Sequence, residues 1–231
     1  MLKVNQLEFA YGEVNVLREV NLHVPPQSIV CLMGRNGVGK TTLMLNILGL
    51  YTPRAGSIEF AGEDITSTPA HKRVRNGMAY VPQGRHIFPR LTVEENLRTG
   101  LAARGDRSRV VPEEVFDYFP VLKAMRNRLG GNLSGGQQQQ LSIGRALVTD
   151  PRLLILDEPT EGIQPNIITL IGETLTRLVH EKGLTVLIVE QYLDFVRTFS
   201  HRFLVMNRGT IVAGDETANL HEDLVKEYLH V

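Results

Sequence analysis

The sequence lacks a charge bias. Its 231 residues carry 25 Lys plus Arg against 25 Asp plus Glu, a formal net charge of zero. A neutral chain has no electrostatic footprint for general nucleic-acid binding, which excludes that class of partner. Cysteine is nearly missing. Cys31 stands alone, so an internal disulfide is excluded and a reducing compartment is implied. No stretch nears the roughly 18 consecutive apolar residues of a spanning helix. The longest apolar runs, such as Leu184 to Val189 interrupted by Thr185, are strand-sized. The N-terminal M-L-K-V-N-Q-L-E alternates where a signal peptide would carry an apolar block. These absences predict a soluble, cytosolic chain whose link to any membrane runs through a partner. The seven histidines show no metal-ligand spacing, and no internal repeat is present. What is there is globular: 42% hydrophobic and 22% charged residues exclude a disordered chain. The length suits one domain, with or without a smaller insert.

Alternation dominates the first third. Leu2, Val4, Leu7 and Phe9 alternate roughly, as do Val20, Leu22 and Val24, which predicts half-buried antiparallel strands. Gly56 to Phe60 reads as another short strand before an Ala61-Gly62 turn. Ile29 to Met33 is continuously apolar, as a strand covered on both faces would be. The middle third turns helical. Thr92-Val93-Glu94-Glu95 is a capping-box pattern opening a helix to about Ala103. Gly105 to Arg109 is a polar loop, and Pro112 suits the first turn of a second helix. A third helix runs from Ser134 to about Thr149, with Leu141, Gly144, Leu147 and Val148 on one stripe. Residues 86–150 therefore read as a helical insert between two parts of a core, 1–85 and 151–231. In the last third, strands at Leu153 to Leu156, Thr185 to Val189 and Phe203 to Met206 alternate with helices at Pro165 to His180, Tyr192 to Phe199 and Glu222 to Leu229. Arg208-Gly209 makes a hairpin turn into Thr210 to Ala213. The pattern predicts an α/β fold, a parallel sheet with helices on both faces.

Gly34-Arg35-Asn36-Gly37-Val38-Gly39-Lys40-Thr41-Thr42 fits G-x-x-x-x-G-K-[ST] between a buried strand and a helical pattern, the context a phosphate-binding loop requires. The glycines let backbone N–H groups converge on an anion, and the helix end adds its positive dipole. Lys40 can reach β- and γ-phosphates, and the Thr41 hydroxyl can ligate Mg²⁺. Leu153-Leu154-Ile155-Leu156 then delivers Asp157 and Glu158 to a strand's carboxyl end, where open α/β sheets bind ligands. Asp157 suits Mg²⁺ ligation through water, and Glu158 suits general-base or water-positioning work. Alone, these acids would read as solvated strand-end charges. Ser134-Gly135-Gly136-Gln137 is a good N-cap followed by sterically open first-turn N–H groups. Alone, it would read as an ordinary capped helix.

L-S-G-G-Q between a phosphate loop and L-L-I-L-D-E resembles the signature of the ATP-binding-cassette (ABC) ATPases, and the likeness covers nearly the whole chain. The resemblance implies a P-loop NTPase with a RecA-like core, an N-terminal antiparallel β-subdomain and an inserted α-helical subdomain. It implies ATP and Mg²⁺ as cofactors. Tyr11 matches the aromatic residue that stacks on adenine, and Gln83 the glutamine that senses Mg²⁺ and the γ-phosphate. Two subunits are expected to pack head to tail, each ATP lying between one phosphate loop and the other subunit's Ser134 helix end.

Two positions depart from the family pattern. Glu161-Gly162-Ile163-Gln164 stands where most members have S-A-L-D, so Gln164 replaces an acid. Glu190-Gln191 follows the strand ending at Val189, where most members place a histidine against the γ-phosphate. A glutamine donates a hydrogen bond but carries no proton charge near neutral pH. Lys40, Glu158 and Gln191 are the candidate catalytic residues, and a homodimer or a heterodimer with a second ABC ATPase fits. The V-E-Q pattern resembles the smaller ATPase of branched-chain amino acid importers. Together with Y-V-P-Q-G-R and D-E-P-T-E-G-I-Q-P it looks most like the urea-transporter ATPases of that group. An importer implies transmembrane permease subunits, a solute-binding protein outside, and a peripheral location on the cytoplasmic face of the membrane. Arg85, Phe88, Arg90 and Leu91 fit a permease-facing groove, or equally packing within the insert. The basic clusters His71 to Arg75 and Arg104 to Arg109 read as solvated faces. A non-transport ABC ATPase is the rival, disfavoured because only 51 residues (134 − 83) separate Gln83 from Ser134.

Overall fold

The computed structural model describes residues 1–104, 106 and 108–228. Gly105 and Arg107 of the polar loop, and Leu229 at the expected end of the last helix, lie outside the described residues. In chain order, β1 (Leu2–Tyr11), β2 (Val14–Val24) and β3 (Ile29–Met33) precede α1 (Lys40–Ile47). β4 (Ala55–Phe60), β5 (Glu63–Asp64), α2 (Ala70–Arg75) and β6 (Met78–Val81) follow. Next come α3 (Val93–Gly100), α4 (Glu113–Tyr118), α5 (Pro120–Ala124) and α6 (Gly135–Leu147). The chain ends with β7 (Leu153–Asp157), α7 (Pro165–Lys182), β8 (Thr185–Val189), α8 (Leu193–Phe199), β9 (Arg202–Asn207), β10 (Thr210–Glu216) and α9 (Glu222–Tyr228).

The strands make two sheets. One is antiparallel, in the order β2-β1-β4-β5. The other runs β10-β9-β3-β8-β7-β6, parallel throughout except at its β10 edge. Every residue of β3, β7 and β8 is buried, as their apolar runs require, and the burial takes in Asp157 at the end of β7 and Thr185 at the start of β8. Each aliphatic side chain so buried stabilises by roughly 1.5–3 kcal/mol, so these central strands form a rigid frame.

Helices lie on both faces of this sheet, as expected, and on one of them a second sheet shares the cover. One face, through Ile29, Cys31, Leu154 and Ile188, packs against α3, α6, α7 and α8. The other, through Val30, Leu32, Ile155 and Leu187, meets Leu43, Met44 and Ile47 of α1 together with the antiparallel sheet. The reason lies in the hairpin's own alternation. Leu2, Val4, Leu22 and Val24 need an apolar cover, and the central sheet supplies it.

Helix α6 departs from its expected single stripe. It lies among α3, α4, α5 and β6, so Gln139, Gln140 and Ser142 are buried along with Leu141 and Gly144. The basic cluster at α2 is not wholly solvated either. Arg73 is 1% exposed. Its guanidinium donates to Asn46 O (2.9 Å) and Ile47 O (2.7 Å) at the end of α1, and to Thr66 O and Thr68 O. A guanidinium with its fixed fork of donors thus satisfies carbonyls that a helix end leaves without partners. Arg104, in the other cluster, pairs with Asp106 at 2.6 Å. Among the described residues, no helix is long and apolar enough to cross a membrane.

Candidate functional site

Register assembles the site. Leu32 of β3 pairs with Val189 of β8, and Val189 pairs with Asp157 of β7. The loops after these three strands therefore emerge side by side at one edge, bringing together Gly34 to Thr42, Asp157-Glu158 and Glu190-Gln191. Gly34 opens the first loop with φ 149°. A Cβ there would lie 2.4 Å from Met206 O, so only glycine fits. Gly39 (φ 111°) N-caps α1 and leaves that end without a side-chain cap.

Lys40 is 5% exposed. Its Nζ donates to Gly34 O (2.7 Å) and Arg35 O (2.9 Å), across the mouth of its own loop. Burial pulls the ammonium below the ordinary lysine range, opposed by the charges of Glu158, Asp157 and Glu190. Asp157 is 1% exposed. Its Oδ2 accepts from the Tyr80 hydroxyl at 3.3 Å, and its Oδ1 is buried without a partner. Burial pushes this carboxyl above the usual aspartate range. The Thr41 hydroxyl pulls it back, Glu158 adds to the rise, and Tyr80 and Lys40 oppose it. Thr41 and Asp157 thus present hard oxygen donors, one of them an orphaned carboxylate oxygen. Among the described residues no cluster of three or more His, Cys, Asp or Glu could form an all-protein metal cage. One or two oxygen donors beside a phosphate loop fit Mg²⁺, which keeps waters and phosphate oxygens in its shell.

Glu158 follows in a left-handed conformation, φ 48°, a strain of about 1–2 kcal/mol for a non-glycine residue. Two glutamines hold its carboxylate. Gln191 Nε2 donates to Oε1 at 2.6 Å, and Gln83 Nε2 to Oε2 at 3.0 Å. Gln191 also reaches Asn36 Oδ1 (2.8 Å), and Gln83 reaches Glu161 Oε2 (3.1 Å). A cleft of about 430 Å³ runs from Tyr11 past Gly37 and Lys40-Thr41-Thr42 to Gln83 and Glu158. Tyr11 stands half-exposed at its far end, edge-on to Phe9 (5.0 Å) and Tyr51 (5.6 Å), with its hydroxyl 3.4 Å from Thr42 Oγ1. Val38 packs inward against the core.

Ser134-Gly135-Gly136-Gln137 is not brought to this cleft. Ser134 N-caps α6 in a reciprocal capping box with Gln137 (2.9 and 3.4 Å). It borders a separate cleft of about 520 Å³ with Gly162, Gln164 and Ile167. A Cβ on Gly135 would come within 2.9 Å of the Arg85 guanidinium, and one on Gly136 within 3.1 Å of Ile167. The two glycines therefore also make room for neighbours.

The sequence model of the ABC transporter family matches residues 17–161. The branched-chain amino acid transport ATP-binding protein BraG of Pseudomonas aeruginosa is 40% identical, over 95% of this chain and 94% of its own length. The chain is an ATP-binding subunit of the ABC transporter family. LivF of Archaeoglobus fulgidus, a probable branched-chain amino acid transport ATP-binding protein, is 37% identical over 95% of this chain and 93% of its own. The lipopolysaccharide export ATP-binding protein LptB of Haemophilus influenzae is 35% identical over 98% and 95%. Among solved structures, a nucleotide-free ATP-binding cassette from an ABC transporter superposes with TM-score 0.82 at 28% identity, covering 100% of this chain and 95% of that one. A cassette in its ADP conformation gives 0.81 at 29%, covering 98% and 93%.

For this ABC ATPase, the groove around Phe88 differs from the expected one. Arg85 turns away from it. Its Nη2 donates to Glu161 O at 3.3 Å, and its guanidinium lies against Gly135. Its place beside Phe88 is taken by Arg145, whose guanidinium sits 5.4 Å from the ring centroid. His86, Phe88, Thr99 and Arg145 line an open groove of about 440 Å³. Sequence reasoning also missed Tyr80, Tyr51 and Glu161. Glu161 carried a signal, since it stands in the segment that departs from S-A-L-D. Tyr80 and Tyr51 meet their partners only through the fold.

Proposed function

We propose that this ABC ATPase binds ATP with Mg²⁺ in the cleft between Tyr11 and Glu158, and that its hydrolysis drives import of a small nitrogen-bearing solute. The observation that carries the reading is the convergence of Lys40, Asp157, Glu158 and Gln191 at one edge of the parallel sheet, around a helix end that no side chain caps. Tyr11 stacks on the adenine. The loop amides of Gly34 to Gly39 and the dipole of α1 hold the phosphates. Lys40 exchanges the carbonyls of Gly34 and Arg35 for β- and γ-phosphate oxygens. Thr41 and Asp157 hold the ion, with Gln83 sensing it. The ion, when bound, neutralises charge on the β- and γ-oxygens. Glu158, aimed by two amide donors, orients the attacking water and accepts its proton. Gln191 donates to the γ-phosphate without carrying charge.

The separation of the Ser134 cleft from the phosphate loop supports a head-to-tail pair. Each ATP then lies between one subunit's loop and the other's Ser134 to Gln137. The second subunit is a copy of this chain or a related ABC ATPase. Contacts through the γ-phosphate close the pair, and hydrolysis releases it. The Phe88 groove, apolar with an arginine rim, receives a segment of the permease at the cytoplasmic face. The names of BraG and LivF favour branched-chain amino acids as solute, and the motif resemblance favours urea or short amides. The solute contacts other subunits, so no residue described above reads it.

The test reconstitutes the native complex in liposomes with its solute-binding protein. ATP turnover stimulated by urea, an amide or a branched-chain amino acid identifies the solute, and stimulation by none of the three removes the importer reading. Failure of the chain to retain labelled ATP with Mg²⁺ removes the nucleotide reading as well.

A further inference from the structure

Glu190 is 3% exposed, and no step above uses it. Its carboxylate sits between two loops of the site. Oε1 accepts the backbone N–H groups of Gln191 (2.8 Å) and Tyr192 (3.0 Å). Oε2 accepts the Thr160 hydroxyl at 2.8 Å. Thr160 lies two residues beyond Glu158, in the loop after β7, and is itself buried. The Glu190 N–H donates to Leu32 O at 3.2 Å, near the end of the strand that feeds the phosphate loop. One carboxylate therefore ties together the loops after β7 and β8, while its backbone is fastened to β3.

Burial pushes the Glu190 carboxyl above the usual range, against the pull of the Tyr192 N–H, the Thr160 hydroxyl and the Gln191 N–H. A desolvated acid is an expensive way to fill a core position unless its hydrogen bonds are needed. One of these bonds ends on the backbone of Gln191, whose side chain holds both Glu158 Oε1 and Asn36 Oδ1.

We propose that Glu190 is a positioning residue for hydrolysis: by fixing the backbone of Gln191 and anchoring Thr160, it holds the Gln191 amide in line with Glu158 and the phosphate loop. The inference rests on the reading of Glu158 and Gln191 as the hydrolytic pair. Glu190 does not itself touch the nucleotide. It acts through Gln191: without it Gln191 is displaced, and misplacement by about 1 Å is enough to lower a rate by as much as roughly 10².

The experiment uses the full chain with Mg²⁺–ATP. Glu190→Ala is expected to lower kcat by about 10- to 100-fold with KM within about twofold, because binding by the loop amides is untouched. Glu190→Gln keeps an acceptor for both N–H groups and offers an amide donor to the Thr160 oxygen, so it restores kcat to within about threefold of the parent. Thr160→Val removes one bond without opening a cavity, and should lower kcat by about threefold to tenfold. That variant keeps the test intact should Glu190→Ala not fold. An unchanged kcat in both Glu190→Ala and Thr160→Val overturns the proposal. So does a loss confined to KM, or a Glu190→Gln variant as slow as Glu190→Ala. If the parent binds ATP without turning it over, the hydrolytic reading fails separately. The Glu190 inference is then decided by NMR. The amide protons of Gln191 and Tyr192 should move upfield in Glu190→Ala and hold in Glu190→Gln, and immobile resonances overturn it.

Discussion

Two helix ends of this molecule look alike in sequence and differ in structure. Both follow glycine-bearing loops and both offer first-turn N–H groups. At α1 the N-cap is Gly39, with no side chain to accept from those groups. The nearby charges, Lys40 and Asp157, are almost wholly buried, and one oxygen of Asp157 has no partner. At α6 the N-cap is Ser134, and Gln137 closes a capping box with it. The first end is charged, constrained and incomplete in its bonding. The second has the Arg85 guanidinium beside Gly135 but satisfies part of its own demand through the capping box. An anion therefore gains most at α1, and in the proposed pair α6 serves as the second wall of a site begun there. A head-to-tail pair of cassettes supplies that arrangement.

The largest effect that tests this contrast lies at Glu158. Glu158→Gln keeps the shape and hydrogen-bonding length but removes the proton acceptor. Turnover should fall by about 10³, while ATP affinity holds and a nucleotide-bound dimer accumulates on size exclusion. A variant that turns ATP over at the parental rate would reassign the base. Next is Lys40→Ala, expected to weaken ATP binding by about 10² in fluorescence titration. Unchanged binding would mean that the loop amides alone carry the α1 site, and the proposed difference between the helix ends would disappear.

The α1 site was legible because its parts are contiguous. Gly34 to Thr42 supplies the turn, the amides, the lysine and the hydroxyl in one segment, after a strand whose apolar run announces burial. Asp157 and Glu158 were legible for the same reason at the end of β7. What could not be read were contacts made by strand order. Thr160 and Glu190 are 30 residues apart and meet only because β7 and β8 are neighbours. Arg73 sits in a run of basic residues that reads as surface, yet its guanidinium is spent on the end of α1. The cover of the sheet's second face was also hidden. Alternation in β1 and β2 tells that one side is buried, but not against what. Arg85, left open in the sequence between a groove and internal packing, has a left-handed backbone (φ 69°) and donates to Glu161 O, a contact that only the fold shows.

A third, smaller effect separates the two ends by sign. Ser134→Ala removes the α6 cap and should destabilise the chain by about 1 kcal/mol, a fall in Tm of about 2–4 °C. ATP binding by the single chain should stay at the parental level, since no part of α6 borders the first cleft. Turnover should fall, because in the proposed head-to-tail pair it uses Ser134 of the opposed subunit. A single-chain affinity that drops along with turnover would merge the two sites into one.

The smallest effect is the opposite response at Asp157. Removing its charge should stabilise the nucleotide-free chain, because the buried carboxylate has lost its water and one oxygen has no partner. Its pKa is raised in the folded state, so the folded chain holds this proton more tightly than the unfolded one. The stability it contributes is full below the unfolded aspartate pKa and is lost as pH rises through the folded value. Asp157→Asn, neutral at every pH, should therefore melt about 2 °C higher than the parent near pH 7. The gain should shrink toward zero as acid protonates Asp157 in the parent. Thermal melts across pH 4–8 without nucleotide check this, and the same variant should lose the Mg²⁺-dependent part of ATP binding. If Asp157→Asn melts lower than the parent at pH 7, the orphaned oxygen is not the strained element of the α1 site. The cost of readiness there would then lie with Lys40 and the left-handed backbone of Glu158.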